Sequence, residues 1–320
     1  MARFRVLLTD YAWNDLDIER AVLGDGDAEL VVAADGDVET LATLAADCDA
    51  IMTNWAKVPE AVIAACSRCS IVARLGVGID NIDVAYATAR GIVVTNCPDY
   101  CVIEVAEHAL ALMLALSRKV AFYHHATKCG DYDLQAGATL RRIEGQTLGI
   151  VGLGNIGAKL AQKARGLGLK MLATSRSRQR EVEGVRFVEL DELLAESDYV
   201  SLHVPATPET RQMIGAAELA RMKPTAYLIN TARGAVVDHR ALAAALAAGK
   251  IAGAALDVQE AEPPNLAEPP YNDPRVIVTP HAAFVSVESL ADLRRRVSQQ
   301  VVDRLAGRTP ENVVNSAVLG

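Results

Sequence analysis

The stretch Thr147-Leu148-Gly149-Ile150-Val151-Gly152-Leu153-Gly154-Asn155-Ile156-Gly157 decides how the rest of the chain is read. An apolar run of strand character stops at Gly152, further glycines follow at 154 and 157, and a helical pattern runs on to Gly166. Strand, G-x-G-x-x-G and helix in that order make a phosphate-binding turn. The first glycine permits the tight turn and the second lets the backbone approach a pyrophosphate. The third lets helix and strand pack closely, with the phosphates at the positive end of the helix. On this reading Gly152, Gly154, Asn155, Ile156 and Gly157 cradle a dinucleotide.

Working outward, strands and helices alternate on both sides of the turn. Strand patterns fall at 5–9, 29–33, 50–53, 71–75 and 92–95, with helical patterns at 15–23, 38–46, 59–65 and 84–90 between them. A long apolar helix is expected from Val102 to about Ala126, its apolar face interrupted by Glu104, Glu107 and His108, and then a loop over 128–146. Beyond the glycine turn come strands at 169–174, 199–204, 226–230, 251–258 and 276–279, and helices at 189–196, 238–248 and 286–305. The alternation predicts an α/β protein with mostly parallel sheets, and 320 residues suggest two domains. Ligands of such sheets bind beyond the carboxyl ends of the strands, which singles out residues 54–57 and Gly76-Val77-Gly78. Two glycines around one small residue suit a plain tight turn, and they also expose N–H groups to an anion such as a carboxylate.

Composition excludes several classes. A net charge of −8 argues against a nucleic-acid surface, and no run of 18 apolar residues offers a membrane span. The chain leads from its first residues straight into a strand pattern, with no signal peptide, so a cytoplasmic setting is expected. The pairs Cys66/Cys69 and Cys97/Cys101 lack the knuckle turns of a zinc site and read as reduced thiols, so no metal is expected. The adjacent His124 and His125 point in different directions at a helix end.

The end of the second strand after the glycine turn selects the cofactor. An acidic residue there suits the free ribose of NAD, and an arginine suits the 2′-phosphate of NADP. Here the strand ends in Ser175-Arg176-Ser177-Arg178, with no carboxylate before Glu181. Guanidinium and hydroxyl groups favour NADP as the cofactor, with NAD the alternative.

Gly76-Val77-Gly78-Ile79-Asp80-Asn81-Ile82-Asp83, the glycine turn, Asn230-Thr231-Ala232-Arg233-Gly234, Asp257-Val258 through Glu262-Pro263, and Thr279-Pro280-His281 occur in that order. The set resembles the D-isomer-specific 2-hydroxyacid dehydrogenase family over nearly the whole chain, with likeness to its NADP-type glyoxylate/hydroxypyruvate reductases. The resemblance implies two doubly wound domains: a flavodoxin-like substrate domain from 1–99 and 286–320, and an inserted Rossmann domain at 100–285. It also implies a homodimer through the cofactor domains and a small 2-keto or 2-hydroxy acid as substrate.

Chemistry points to the same residues. Reducing a 2-keto acid needs a cation for the carboxylate and a proton donor for the developing alkoxide. Arg233 can pair bidentately with a carboxylate. His281 suits the general acid, and Glu262 would hold its ring and stabilise the imidazolium. The resemblance assigns these three the same roles. It further implies that Asp257 and the main chain at Thr231 and Ala232 orient the nicotinamide, while Val204, Pro205, Thr207, His281 and Ala283 line the cofactor. Gly76, Val77 and Gly78 would receive the substrate carboxylate, and Trp55 and Phe284 would wall the substrate pocket. The resemblance also implies that the formate dehydrogenase branch carries glutamine at position 262, so Glu262 disfavours formate as substrate. Two other readings share the motifs: a dinucleotide-sensing interaction protein similar to the C-terminal-binding-protein corepressors, and a 3-phosphoglycerate dehydrogenase. The compact termini favour an enzyme over the first, and Lys57 alone is thin support for a phosphate pocket in the second.

Overall fold

A computed structural model describes residues 2–137, 139–176 and 181–320, so Ser177 and Arg178 lie outside the described residues. In chain order the elements are β1 Phe4–Leu8, α1 Asp17–Asp25, β2 Ala28–Val32, α2 Val38–Ala45, β3 Ala50–Thr53, α3 Glu60–Ala65, β4 Ile71–Arg74, α4 Val84–Ala89 and β5 Val93–Thr95. There follow α5 Val102–Ser117, α6 Val120–Lys128, β6 Thr147–Val151, α7 Asn155–Ala164, β7 Lys170–Thr174, β8 Val185–Phe187, α8 Leu190–Glu196 and β9 Tyr199–Leu202. The last are α9 Ala216–Arg221, β10 Tyr227–Asn230, α10 His239–Ala247, β11 Gly253–Leu256, β12 Val276–Val278 and α11 Val287–Leu305. They divide into two units, Met1–Cys101 with Ser286–Gly320, and Val102–Val285.

The first unit is a five-stranded parallel sheet in the order β2-β1-β3-β4-β5. Because side chains alternate along a strand, Val6 and Leu8 pack on one face against Leu293, Val297 and Val301 of α11. Leu7 joins Ile51 and Val72 on the other, under Leu41, Val62 and Ile63. Covering both faces is what allows these strands to be apolar almost throughout. One ion pair is sealed inside: Arg294 of α11 donates from Nε and Nη2 to the two carboxylate oxygens of Glu19 on α1, both at 2.8 Å. Glu19 is wholly buried and Arg294 nearly so.

The second unit is a parallel sheet in the order β12-β11-β10-β9-β6-β7-β8. Ala106, Ala109 and Met113 of α5 and Leu160 and Ala161 of α7 cover Leu148, Ile150, Ile229 and Ala255 on one face. Residues of α8, α9 and α10, among them Leu193, Leu219, Leu242 and Leu246, cover Val200, Leu228 and Leu256 on the other. The strand order reverses between β6 and β9. A crevice opens at such a switch point beyond the carboxyl ends of the strands.

The structure corrects the sequence reading in three places. The long helix expected to 126 ends at Ser117, and a second one starts at Val120. Lys119 between them takes φ 52°, a left-handed conformation that no β-carbon-bearing residue holds inside a helix, and its ammonium reaches the carbonyl of Gly137. The apolar pattern continues across the break and so hides it. The short β8 and α9 were absent from the sequence reading. Their three and six residues are too few for a period to emerge. No described helix is long and apolar enough to cross a membrane.

Candidate active site

β6 ends at Val151 and the chain turns at Gly152, whose φ is 98°. A Cβ at Gly152 would lie 2.5 Å from the carbonyl oxygen of His203, and one at Gly157 would lie 2.2 Å from that of Gly152. Both positions exclude any side chain. Gly154 is different: a Cβ there would meet nothing within 4 Å. Its bare backbone faces open space at the start of α7, and no side chain caps that helix. The protein's own packing does not require this glycine, whereas a phosphate approaching the helix N-terminus does.

Two polar atoms at the neighbouring strand ends have no hydrogen-bond partner among the described residues: Thr231 Oγ1 after β10 and His203 Nδ1 after β9. Open backbone at Gly154, buried polar atoms awaiting a partner and the switch-point crevice all fit a bound dinucleotide. Val204, Pro205 and Thr207 continue from β9, with the Thr207 N–H donating to Thr210 Oγ1 at 2.8 Å. Ser175 and Arg176 follow β7, and Arg176 is exposed. Glu209 is held below the usual carboxylate range, chiefly by the Thr207 hydroxyl and to a smaller degree by the charge of Arg176.

Arg233, Glu262 and His281 all belong to the second unit. Arg233 follows β10, and Asn230 at the strand's end pins its turn. The Asn230 Nδ2 donates to the Arg233 carbonyl at 3.0 Å, and its Oδ1 accepts from the Ala232 N–H at 3.0 Å. Glu262 uses both oxygens: Oε1 accepts from the Gln259 N–H at 3.0 Å, and Oε2 lies 2.7 Å from His281 Nδ1. Burial pushes the Glu262 carboxyl up. The hydrogen bond and charge of His281, the Gln259 N–H and the charge of Arg233 outweigh it and leave the group below its usual range. A carboxylate there fixes Nδ1 as the protonated nitrogen, so Nε2 is the atom left for proton transfer. Phe284 stands edge-on to the imidazole, ring centroids 6.1 Å apart.

His281 sits in a turn with φ 52°, and Asp257 shapes that turn. The carboxylate of Asp257 is wholly buried. Its Oδ1 accepts from Thr279 Oγ1 at 2.5 Å and the Ala282 N–H at 2.9 Å, and its Oδ2 from the Ala283 N–H at 3.0 Å. The His281 N–H donates to the Asp257 carbonyl at 2.8 Å. Gln259 bridges the same loops, donating from Nε2 to the carbonyls of Leu256 and Thr279. Asn230 and Gln259 escaped the sequence reading as site residues because their partners are backbone groups of folded turns.

In the first unit, the carboxyl edge of the sheet carries the other candidates. Asp10 accepts from the Asn54 N–H at 3.0 Å and the Trp55 N–H at 2.7 Å, fixing a turn from which Trp55 projects 45% exposed. The carbonyls of Gly76 and Val77 are tied back by the Cys97 N–H and Asn96 Nδ2. A Cβ on Gly76 would stand 2.6 Å from the Arg74 guanidinium. Among the described residues no cluster of three His, Cys, Asp or Glu side chains is placed to hold a metal, and none of the six cysteines is in a disulfide.

Comparison with known proteins identifies the family. Residues 110–283 match the family model described as D-isomer specific 2-hydroxyacid dehydrogenase, NAD binding domain. The chain is 42% identical over 280 residues to the glyoxylate reductase of Korarchaeum cryptofilum, covering 85% of this chain and 84% of that protein. It is 39% identical to the D-3-phosphoglycerate dehydrogenase of Archaeoglobus fulgidus over 83% of this chain, but spans only 51% of that relative. Among solved structures, the NADPH-dependent glyoxylate/hydroxypyruvate reductase of Sinorhizobium meliloti in complex with NADP and malonate superposes with a TM-score of 0.85. That structure is 31% identical, and the match covers 98% of this chain and 97% of that one.

Proposed function

The chain belongs to the D-isomer-specific 2-hydroxyacid dehydrogenase family as an NAD(P)-dependent oxidoreductase of 2-hydroxy and 2-keto acids, and from that premise we propose that it works as an NADPH-preferring 2-keto acid reductase. The observation that carries the mechanism is the His281 Nδ1 to Glu262 Oε2 contact of 2.7 Å, with the charge of Arg233 acting on the same carboxylate. The reduced nicotinamide, when bound, supplies a hydride to C2 of the keto acid. Arg233 binds the substrate carboxylate and polarises the carbonyl. As the carbonyl π pair collects on oxygen, His281 delivers its Nε2 proton there, and Glu262 stabilises the imidazolium beforehand. The products are the 2-hydroxy acid and the oxidised cofactor.

In this reading the glycine turn holds the pyrophosphate, Thr231 and Asp257 stand by the nicotinamide, and Arg176 binds the 2′-phosphate. The N–H groups at 76–78 serve a carboxylate. The first unit acts as the substrate domain and the second as the cofactor domain. We also propose a homodimer through the second unit. Its amino edge bears a cavity of about 940 Å³ lined by Phe122, Tyr199, Tyr227 and Tyr271. The segment after α6 carries Tyr132 and Leu134, 90% and 81% exposed, as apolar groups for a second copy to cover. Six cysteines without a disulfide suit a reducing compartment, and we place the protein in the cytoplasm.

The test is the initial rate of NADPH and NADH oxidation with glyoxylate, hydroxypyruvate, pyruvate, phenylpyruvate and branched-chain keto acids, with sedimentation to give the oligomeric state. Turnover with NADPH preferred is expected. Tight dinucleotide binding without turnover of any keto acid would overturn the reductase.

A further inference from the structure

One helix residue reaches the turn that carries the general acid. Along α5, Val105, His108 and Leu112 share a face by helical spacing, and Val105 and Leu112 are buried. His108 interrupts that apolar row. Its Nε2 lies 3.1 Å from Thr279 Oγ1 and 3.4 Å from Asp257 Oδ1.

The tautomer follows from hydrogen-bond accounting. The Thr279 hydroxyl spends its only proton on Asp257 at 2.5 Å, so toward His108 its oxygen can only accept. A carboxylate likewise only accepts. His108 Nε2 therefore carries hydrogen, and it donates into the Thr279–Asp257 pair. Without it, a wholly buried carboxylate would keep one side-chain donor and two N–H groups. Burial pushes the Asp257 carboxyl up, and the bond from His108 leads those that outweigh it and leave the group below its usual range.

We propose that His108 is a positioning residue for the reduction: its Nε2–H completes the donor set of Asp257, which aligns the Ala282 and Ala283 N–H groups and so holds His281 in its left-handed turn beside Glu262. The inference rests on the proposed role of His281 as general acid. His108 touches no reacting atom. It acts through Asp257 and Thr279 on the angle at which the imidazole meets the substrate, and a small misorientation there slows the chemical step more than it weakens binding.

The experiment compares H108L, H108N and H108Q with wild type and H281A, using NADPH and the best keto acid of the panel. Gln can place its amide nitrogen near the position of Nε2, whereas Asn is polar but too short. We expect H108L and H108N to lose about tenfold in kcat with KM changed less than about twofold. The primary isotope effect with nicotinamide-4-deuterated NADPH should rise as the chemical step becomes limiting. H108Q should recover to within about threefold of wild type. Wild-type kcat in both H108L and H108N, or equal losses in all three variants with an unchanged isotope effect, would overturn the positioning role. Should H108L fail to fold, H108N against H108Q still decides. Full turnover in H281A would sink the general-acid reading itself, which separates that failure from the failure of His108.

Discussion

Gly234 and Gln259 meet backbone to backbone: a Cβ on Gly234 would stand 1.9 Å from the Gln259 carbonyl oxygen. That contact seats the loop carrying Glu262 against the turn carrying Arg233. Two glycines should therefore fail in different ways. G234A must push the 259–262 loop away, and we expect kcat/KM to fall by about 100-fold or more with a lower Tm.

G154A meets no protein atom, so its Tm should match wild type. Its methyl enters the space proposed for the phosphates, and dinucleotide affinity should drop by about tenfold or more. Isothermal titration and thermal unfolding read the two effects apart. Unchanged affinity in G154A would count against the cradle.

For the proton-transfer set, H281A should lose about 10²- to 10⁴-fold in kcat. E262Q keeps an acceptor for the His281 Nδ1–H but removes the charge, so its loss should be smaller than that of H281A. R233A should raise KM for the keto acid as well as lower kcat, because a bidentate carboxylate partner acts in the ground state and the transition state alike. Steady-state kinetics with one keto acid at fixed NADPH separates the three.

Cofactor choice should follow Arg176. R176A is expected to cut the NADPH to NADH ratio of kcat/KM by about tenfold, through loss of the NADPH arm alone. An unchanged ratio would leave the 2′-phosphate without its proposed partner.

The pH dependence of stability has a definite sign at His203. Burial pushes this imidazole down to about 4 from 6.5. Above pH 6.5 it is neutral in both folded and unfolded chains and costs nothing. As pH falls from 6.5 toward 4, the unfolded chain gains a proton that the folded chain refuses, and stability is lost. The loss is at most about 3 kcal/mol, and less in practice because the residue is not wholly enclosed. Urea midpoints of the free protein between pH 7 and 4 should fall, and H203Q should flatten that slope. An equal slope in H203Q would assign the effect to other groups.

What the sequence makes legible here is what repeats locally. Strands such as β3 and β4 are short continuous apolar runs, and Gly152, Gly154 and Gly157 sit at a spacing that only one turn needs. Arg233, Glu262 and His281 stand out as candidates by order and chemistry. Their shared hydrogen bonds do not, because those depend on where β10, β11 and β12 end in space. The break at Lys119 was hidden because a left-handed lysine leaves no mark in an apolar pattern. His108 was visible only as an interruption. Its partners, Asp257 and Thr279, lie about half the chain away, and nothing in a helical period names them.

The sealed Arg294–Glu19 pair sets an order for synthesis. Glu19 leaves the ribosome before Arg294, with the second unit made in between. Until α11 arrives, one face of the first sheet is covered only in part, by Trp13, Leu16 and Leu23, and Glu19 is a carboxylate that cannot be buried without its cation, at a cost of several kcal/mol. A nascent chain stopped short of residue 287 should therefore hold a folded second unit beside an open, protease-sensitive first one. The middle of the chain should then mature before its beginning, inverting the usual direction of domain folding on the ribosome.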